Sequence, residues 1–94
     1  NAHFSPDGRY LTFMGRQNGA WHVFALAIGG TQAPSNLTAA IGGRNEDPKF
    51  SFDGRQVVLK HEGDISLATL VFNGDGSVGV SAWKAVTSDG WSTE

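Results

Sequence analysis

Phe4-Ser5-Pro6-Asp7-Gly8-Arg9-Tyr10-Leu11-Thr12-Phe13 decides how this chain is read, because it returns 46 residues later as Phe50-Ser51-Phe52-Asp53-Gly54-Arg55-Gln56-Val57-Val58-Leu59. Five of the ten positions are identical. Self-similarity at this spacing marks stacked supersecondary units, each unable to bury its apolar face alone. The chain therefore divides into two copies of one unit, residues 1–46 and 47–94.

The quoted stretch has the chemistry of a tight turn between two strands. Pro6 presets φ for the second position of a type I turn, the Ser5 hydroxyl and Asp7 carboxylate can bond turn amides, and Gly8 accepts the exit geometry. The second copy keeps Asp53 and Gly54 but has Phe52 in place of proline. That exchange removes some preorganisation, worth about 0.4–1 kcal/mol through the unfolded state, and the turn is expected to survive it.

Working outward, Ala2 to Ser5 reads as the first strand and Arg9 to Met14 as the second. Leu11 and Phe13 fall on one face of the second strand and Tyr10 and Thr12 on the other. Gly15 to Gly19 reads as a loop. Ala20 to Ile28 is then a strand apolar on both sides, with Trp21, Val23 and Ala25 opposite Phe24, Leu26 and Ile28, the pattern of a strand between two packed layers. Gly29-Gly30 ends it, and Ser35 to Ala39 is a fourth strand. Ile41 to Asp47 is a loop. The second unit repeats the order with Gln56 to Lys60, Asp64 to Phe72 and Val78 to Thr87, the last two joined by the hairpin signal Asn73-Gly74-Asp75-Gly76. The expectation is an antiparallel all-β chain, four strands to a unit.

Composition narrows the possibilities. With 39% hydrophobic and 17% charged residues in 94, and a formal net charge of −2, the chain is globular in character. Seven basic residues against nine acidic ones, scattered along the chain, give no electrostatic footprint for nucleic acid. No apolar run reaches the ~20 residues of a spanning helix, so membrane insertion is not expected. Cysteine is absent, which removes disulfides, thiolate nucleophiles and cysteine-ligated zinc, and leaves the compartment open. A start at Asn1 without methionine or a charged-then-apolar leader reads as a processed or excised segment.

FSPDGRYLTF, the aromatic-aliphatic strand after it, the Gly-Gly turn and the terminal Asn36-Leu37-Thr38 together resemble the WD-like β-propeller repeat of TolB-type proteins. The resemblance covers nearly the whole chain, with Val86-Thr87 standing for Leu37-Thr38 in the second copy. It implies that Ser5, Pro6, Asp7 and Gly8, and Asp53 and Gly54 with Ser51, shape the turn between the first two strands of a blade. It implies two tandem four-stranded blades, part of a larger or oligomeric propeller, since a ring needs about 4–8 blades. The partners implied are neighbouring blades, from the same parent chain or from other copies. A two-blade piece would leave Trp21, Phe24 and Trp83 in exposed patches of several hundred Å². Family members include periplasmic propellers and propellers of peptidases and polysaccharide lyases, and a fold of this kind does not fix the task.

Candidate chemistry is sparse. His3, His22 and His61 sit before, within and after strands, so their spacing does not converge on a metal. Asn73 to Ser77 has one carboxylate, Asp75, too few for a calcium loop. Asp7 and Asp53 recur once per unit, which fits turn bonding better than a general acid and base. The serines lack a Gly-x-Ser-x-Gly setting, so no nucleophile is expected, no catalytic residue is assigned and no cofactor is implied. Arg44, Asn45 and Glu46, and Trp91 at the matching place in the second unit, lie in loops leading to a blade's innermost strand, where binding residues concentrate. They are the candidate ligand contacts. Asn36-Leu37-Thr38 also satisfies a glycosylation sequon. The reading is a non-catalytic scaffold or binding module for a protein, peptide or glycan, periplasmic or secreted. The alternatives are the propeller portion of a larger peptidase or lyase, and a self-assembling ring with a ligand-binding channel.

Overall fold

The computed structural model describes residues 2–87. Eight strands run in order: β1 (Ala2–Phe4), β2 (Tyr10–Gln17), β3 (Ala20–Ala27), β4 (Ser35–Asn36), β5 (Asn45–Phe50), β6 (Gln56–His61), β7 (Asp64–Phe72) and β8 (Val78–Ala85). They form two antiparallel four-stranded sheets, ordered β1-β2-β3-β4 and β5-β6-β7-β8, with no helix among the described residues. The all-β, antiparallel expectation is met.

Both turns of the repeated stretch close with the same bonds. The Ser5 hydroxyl donates to Asp7 Oδ1 at 2.7 Å, the Arg9 amide donates to that oxygen at 2.9 Å, and the Tyr10 amide donates to Ser5 Oγ at 2.9 Å. The second copy has Ser51 to Asp53 at 2.6 Å, Arg55 to Asp53 at 3.0 Å and Gln56 to Ser51 Oγ at 3.1 Å. Phe52 changes none of them, because these bonds come from the serine and aspartate on either side. The side chain at that position is left fully exposed.

Beyond the turns the second strand is longer than its alternation suggested. It continues through Gly15 to Gln17, and only Asn18-Gly19 turns the chain. Asn18 and Gly19 both take positive φ, the hand that matches strand twist in two-residue hairpins. Gly15 belongs to the strand because the Phe24 ring lies over it, so close that a Cβ there would meet the ring at 2.9 Å. At the other end of the loop region, β5 begins at Asn45 instead of near Pro48. The division between residues 46 and 47 thus falls inside a strand, beside the register shift between Glu46 and Lys49. β4 is cut to two residues because Asn36 Oδ1 accepts the Thr38 amide at 2.9 Å and the chain turns there.

The sheets pack face to face, and the core lies between them. From the first sheet Val23 and Ala25 enter it, with Thr12 beside them, and from the second Phe50, Val57, Leu59 and Ala68. Register explains the selection: Thr12 pairs with Ala25 and Met14 with Val23, so these residues share a face, and Val57 pairs with Ala68 on the face opposite. Leu59 is the largest side chain buried outright. Truncating such a residue to alanine costs about 2–5 kcal/mol. Cross-sheet bonds add to the packing: the Phe50 amide donates to His3 Nδ1 at 3.1 Å and the Val78 amide to Ser35 Oγ at 3.0 Å.

The other face of the first sheet carries Phe4, Leu11, Phe13, Phe24 and Leu26, and no other strand among the described residues packs on it. Phe13 and Phe24 stack there with centroids 5.6 Å apart. Trp21, Phe24 and Trp83, expected in open patches, are each half-buried. Among the described residues the large apolar side chains that stand in solvent are Phe4, Ile28, Phe52, Val71, Phe72 and Val86.

Candidate functional site

The loops meet at one end of the sheets, where the β2–β3 turn, the β4–β5 connection and the β6–β7 turn lie together. Glu62 and Gly63, like Asn18 and Gly19, take positive φ. For a glutamate that is a strained conformation. Its carboxylate has a partner that explains the position: Glu62 Oε2 accepts the Arg44 amide at 2.7 Å. The same carboxylate lies against Gly43, where φ is +71° and a Cβ would collide with it. The positive φ is what calls for glycine at position 43, since the carboxylate is the movable end of a flexible side chain.

The three described candidates in this loop have separate fates. Arg44 extends into solvent, its Nε donating to Glu46 Oε2 at 2.8 Å and its Nη2 lying 2.7 Å from the same oxygen. With the arginine side chain 66% exposed, the pair contributes little to stability. Asn45 turns inward and is fully buried. Its amide nitrogen donates to the carbonyls of Trp21, Gly42 and Gly43 at 3.2, 3.0 and 3.3 Å, and His61 Nδ1 lies 2.8 Å from its oxygen. Because the amide nitrogen can only donate, the oxygen must accept, so His61 carries its proton on Nδ1. Asn45 pins the loop to both sheets and is sealed from any ligand. Trp91 lies outside the described residues.

Arg16 and Trp21 complete the site, although the sequence reading set Trp21 in the packing and did not single out Arg16. They pair across β2 and β3, placing the Arg16 guanidinium 5.6 Å from the indole centroid. Arg16 Nη2 also donates to the Gly19 carbonyl at 3.3 Å. With Gly43 and Arg44 they line a shallow hollow of about 450 Å³. Two guanidinium groups beside a half-buried indole suit a ligand with a carboxylate and an adjoining flat or apolar surface. Running the alternation of β2 on to Gln17 would have exposed this cross-strand pair.

The remaining histidines are absorbed by structure. Thr38 Oγ1 accepts from the Val23 amide at 3.2 Å and donates to Asn36 Oδ1 at 3.2 Å, so His22 Nδ1, 2.7 Å away, is a donor to it. Asn36 Nδ2, the sequon nitrogen, donates to Gln17 Oε1 at 2.7 Å. Among the described residues no group of three or more His, Cys, Asp or Glu side chains gathers where a metal could sit. Asp64 Oδ1, next to the β6–β7 turn, is buried without a hydrogen-bond partner among them.

The opposite end holds the Ser5–Gly8 and Ser51–Gly54 turns, with a smaller hollow of about 340 Å³ between them. Tyr10 and Phe72 are among its lining residues, ring centroids 4.7 Å apart. Asp7 is held below its usual 3.8 first by the Arg9 amide and then by the Ser5 hydroxyl, and Asp53 first by the Ser51 hydroxyl and then by the Arg55 amide. Both carboxylates are committed anions in turns, which is the role the sequence assigned to them. A further hollow, of about 560 Å³, lies where Ala2 and His3 of β1 approach β5 and the Val58–Lys60 stretch of β6. Lys60 Nζ there stands 3.7 Å from Asp47 Oδ2.

No family model, curated protein or solved structure matches this chain.

Proposed function

We propose that the chain is a pair of TolB-like propeller blades serving as a non-catalytic scaffold and binding module. In this reading it holds an acidic peptide or glycan at the loop end, in a periplasmic or secreted setting. The observation that carries the binding role is the Arg16–Trp21 pair beside Arg44: cations and an aromatic face gathered in one accessible hollow. The blade reading is supported by the matching turn bonds and by a second correspondence at the far edge. Val23 donates its amide to Thr38 Oγ1, and Ile65 donates its amide to Thr87 Oγ1 at 2.8 Å.

The reading assigns each part a task. The sheets supply rigidity, Asn45 and Glu62 fix the path of the loop, and Arg16, Trp21 and Arg44 meet the ligand. Carboxylate recognition follows from the fork of guanidinium donors, and the indole face discriminates by shape. Arrays of acidic peptides and of uronate- or sialate-bearing glycans test it. Binding that weakens at least tenfold in the Arg16→Ala/Arg44→Ala double variant supports the assignment; absence of hits on both arrays, or hits indifferent to that variant, overturns it.

A further inference from the structure

The chain makes internally one copy of an interface for which it also carries both halves, unused among the described residues. The inner face of the first sheet receives Phe50, Val57 and Leu59 from the second. In the repeated sequence those positions correspond to Phe4, Leu11 and Phe13, which lie on the uncovered face of the first sheet. The inner face of the first sheet, in turn, presents Thr12, Val23 and Ala25. Their counterparts in the second sheet are Val58, Ile65 and Leu67, matched by sequence, by the Thr38 and Thr87 bonds, and by register. They lie on that sheet's outer face, half-buried, with Lys49, Lys60 and Lys84 among them.

The hairpin tips show the same pattern. Pro6 packs against Gly54 of the next turn, its Cδ 3.4 Å from where a Cβ would stand. The counterpart of Pro6 is Phe52, fully exposed, and the counterpart of Gly54 is Gly8, beside which nothing lies within 4 Å. Knob and seat are both present and both empty.

Resting on the blade reading, we infer that copies of this chain associate head to tail, the outer face of the second sheet of one covering the open Phe4–Leu11–Phe13 face of the next, with Phe52 seated over Gly8. The contact continues the packing already present within the chain. It is heterologous, so it ends either in a closed ring or in an open filament. Area favours closure. The first sheet's strands of three, eight, eight and two residues, ~4.8 Å apart at ~3.3 Å per residue, present a face of about 330 Å², so one such contact buries about 660 Å² in total, short of a stable specific interface. A ring gives every copy two of these contacts, while an open dimer gives one. With about 4–8 blades to a ring and two per chain, the closed assembly holds two to four copies.

The experiment is light scattering on the purified chain across a concentration series, followed by mixing of variants. The wild type is expected at two to four times the mass of one chain. Phe13→Arg spoils only the open face of the first sheet and Leu67→Arg only the outer face of the second, so each alone is expected to be monomeric. Mixed in equal amounts they retain one good contact and, at the top of the concentration series, give a heterodimer that does not grow. Phe52→Asp touches nothing inside the monomer and is expected to weaken assembly about tenfold, which keeps the test decisive where either arginine variant fails to fold. A monomeric wild type, or a dimer that Phe13→Arg abolishes while Leu67→Arg and Phe52→Asp leave it unchanged, overturns the head-to-tail assembly. Ligand binding by the array assay, read on the same samples, separates the two proposals: a monomer that still binds sinks the ring alone, and a ring without ligand sinks the binding role alone.

Discussion

His3 Nδ1 accepts the backbone N–H of Phe50 at 3.1 Å, so a side chain of the first strand of one sheet satisfies the first strand of the other. The imidazole also lies near the Phe50 ring, centroids 6.3 Å apart. An exposed side chain is thereby the acceptor for a partly buried amide. His3→Ala leaves that amide without its partner, and the expected loss is about 1 kcal/mol, a lowering of Tm by about 4–8 °C in a domain of this size. Urea titration of the two proteins measures it. A substitution that leaves the midpoint unmoved would show that water replaces the imidazole at no cost.

Acid should loosen the two hairpins together. Asp7 and Asp53 are each held below 3.8 by donors that exist only in the folded turn. A carboxylate with a depressed folded pKa contributes stability that is present above the unfolded value and is lost as pH falls through the folded one. The contribution is therefore intact at neutral pH, and it drains away from about pH 4 downward. Thermal melts from pH 7 to pH 2.5 should show a fall in Tm that is shallower in Asp7→Asn/Asp53→Asn. An equal fall in that variant would place the acid sensitivity elsewhere.

What the sequence disclosed follows the range of the forces involved. The Ser-x-Asp-Gly turns and the span of β7 were legible because turn bonds and alternation act within a few residues. The length of β2 was not, since Gly15 reads as a breaker and only the Phe24 ring from the next strand makes it a strand residue. Asn45 and Arg44 are neighbours of the same polar kind, and the chain gives no local sign that one turns into a cage of three carbonyls while the other reaches solvent. Arg16 escaped for the same reason as Gly15, because its meaning depends on the partner across the hairpin.

Thr38 ties three elements through one buried oxygen, and that predicts a sharp difference between two conservative changes. Thr38→Val keeps the shape but strands the Val23 amide and the His22 donor, at an expected cost of about 1–3 kcal/mol. Thr38→Ser retains the hydroxyl and should lose only a methyl group, roughly 1 kcal/mol. Denaturant midpoints of the pair decide it. Equal losses would mean the methyl packing, and not the hydroxyl, holds β4 in place.

Arg44 and Asn45 offer the cleanest separation of binding from folding, because adjacent residues are expected to respond in opposite assays. Asn45→Asp replaces a donor with a carboxylate facing the carbonyls of Trp21, Gly42 and Gly43. Burying such a charge among acceptors is far costlier than losing the bonds, so Asn45→Asp should destabilise more than Asn45→Ala, which itself costs about 1–3 kcal/mol. Arg44→Ala removes only a solvent-exposed ion pair and should stay within about 0.5 kcal/mol of wild type. Urea melts are expected to rank Asp below Ala at position 45, with Arg44→Ala indistinguishable from the parent. Ligand arrays are expected to reverse the emphasis, with Arg44→Ala weakened and folded Asn45→Ala retaining its hits. If Asn45→Ala loses the ligand while remaining folded with its loop intact, the buried amide is part of the binding surface and the assignment of roles at this end of the sheets is wrong.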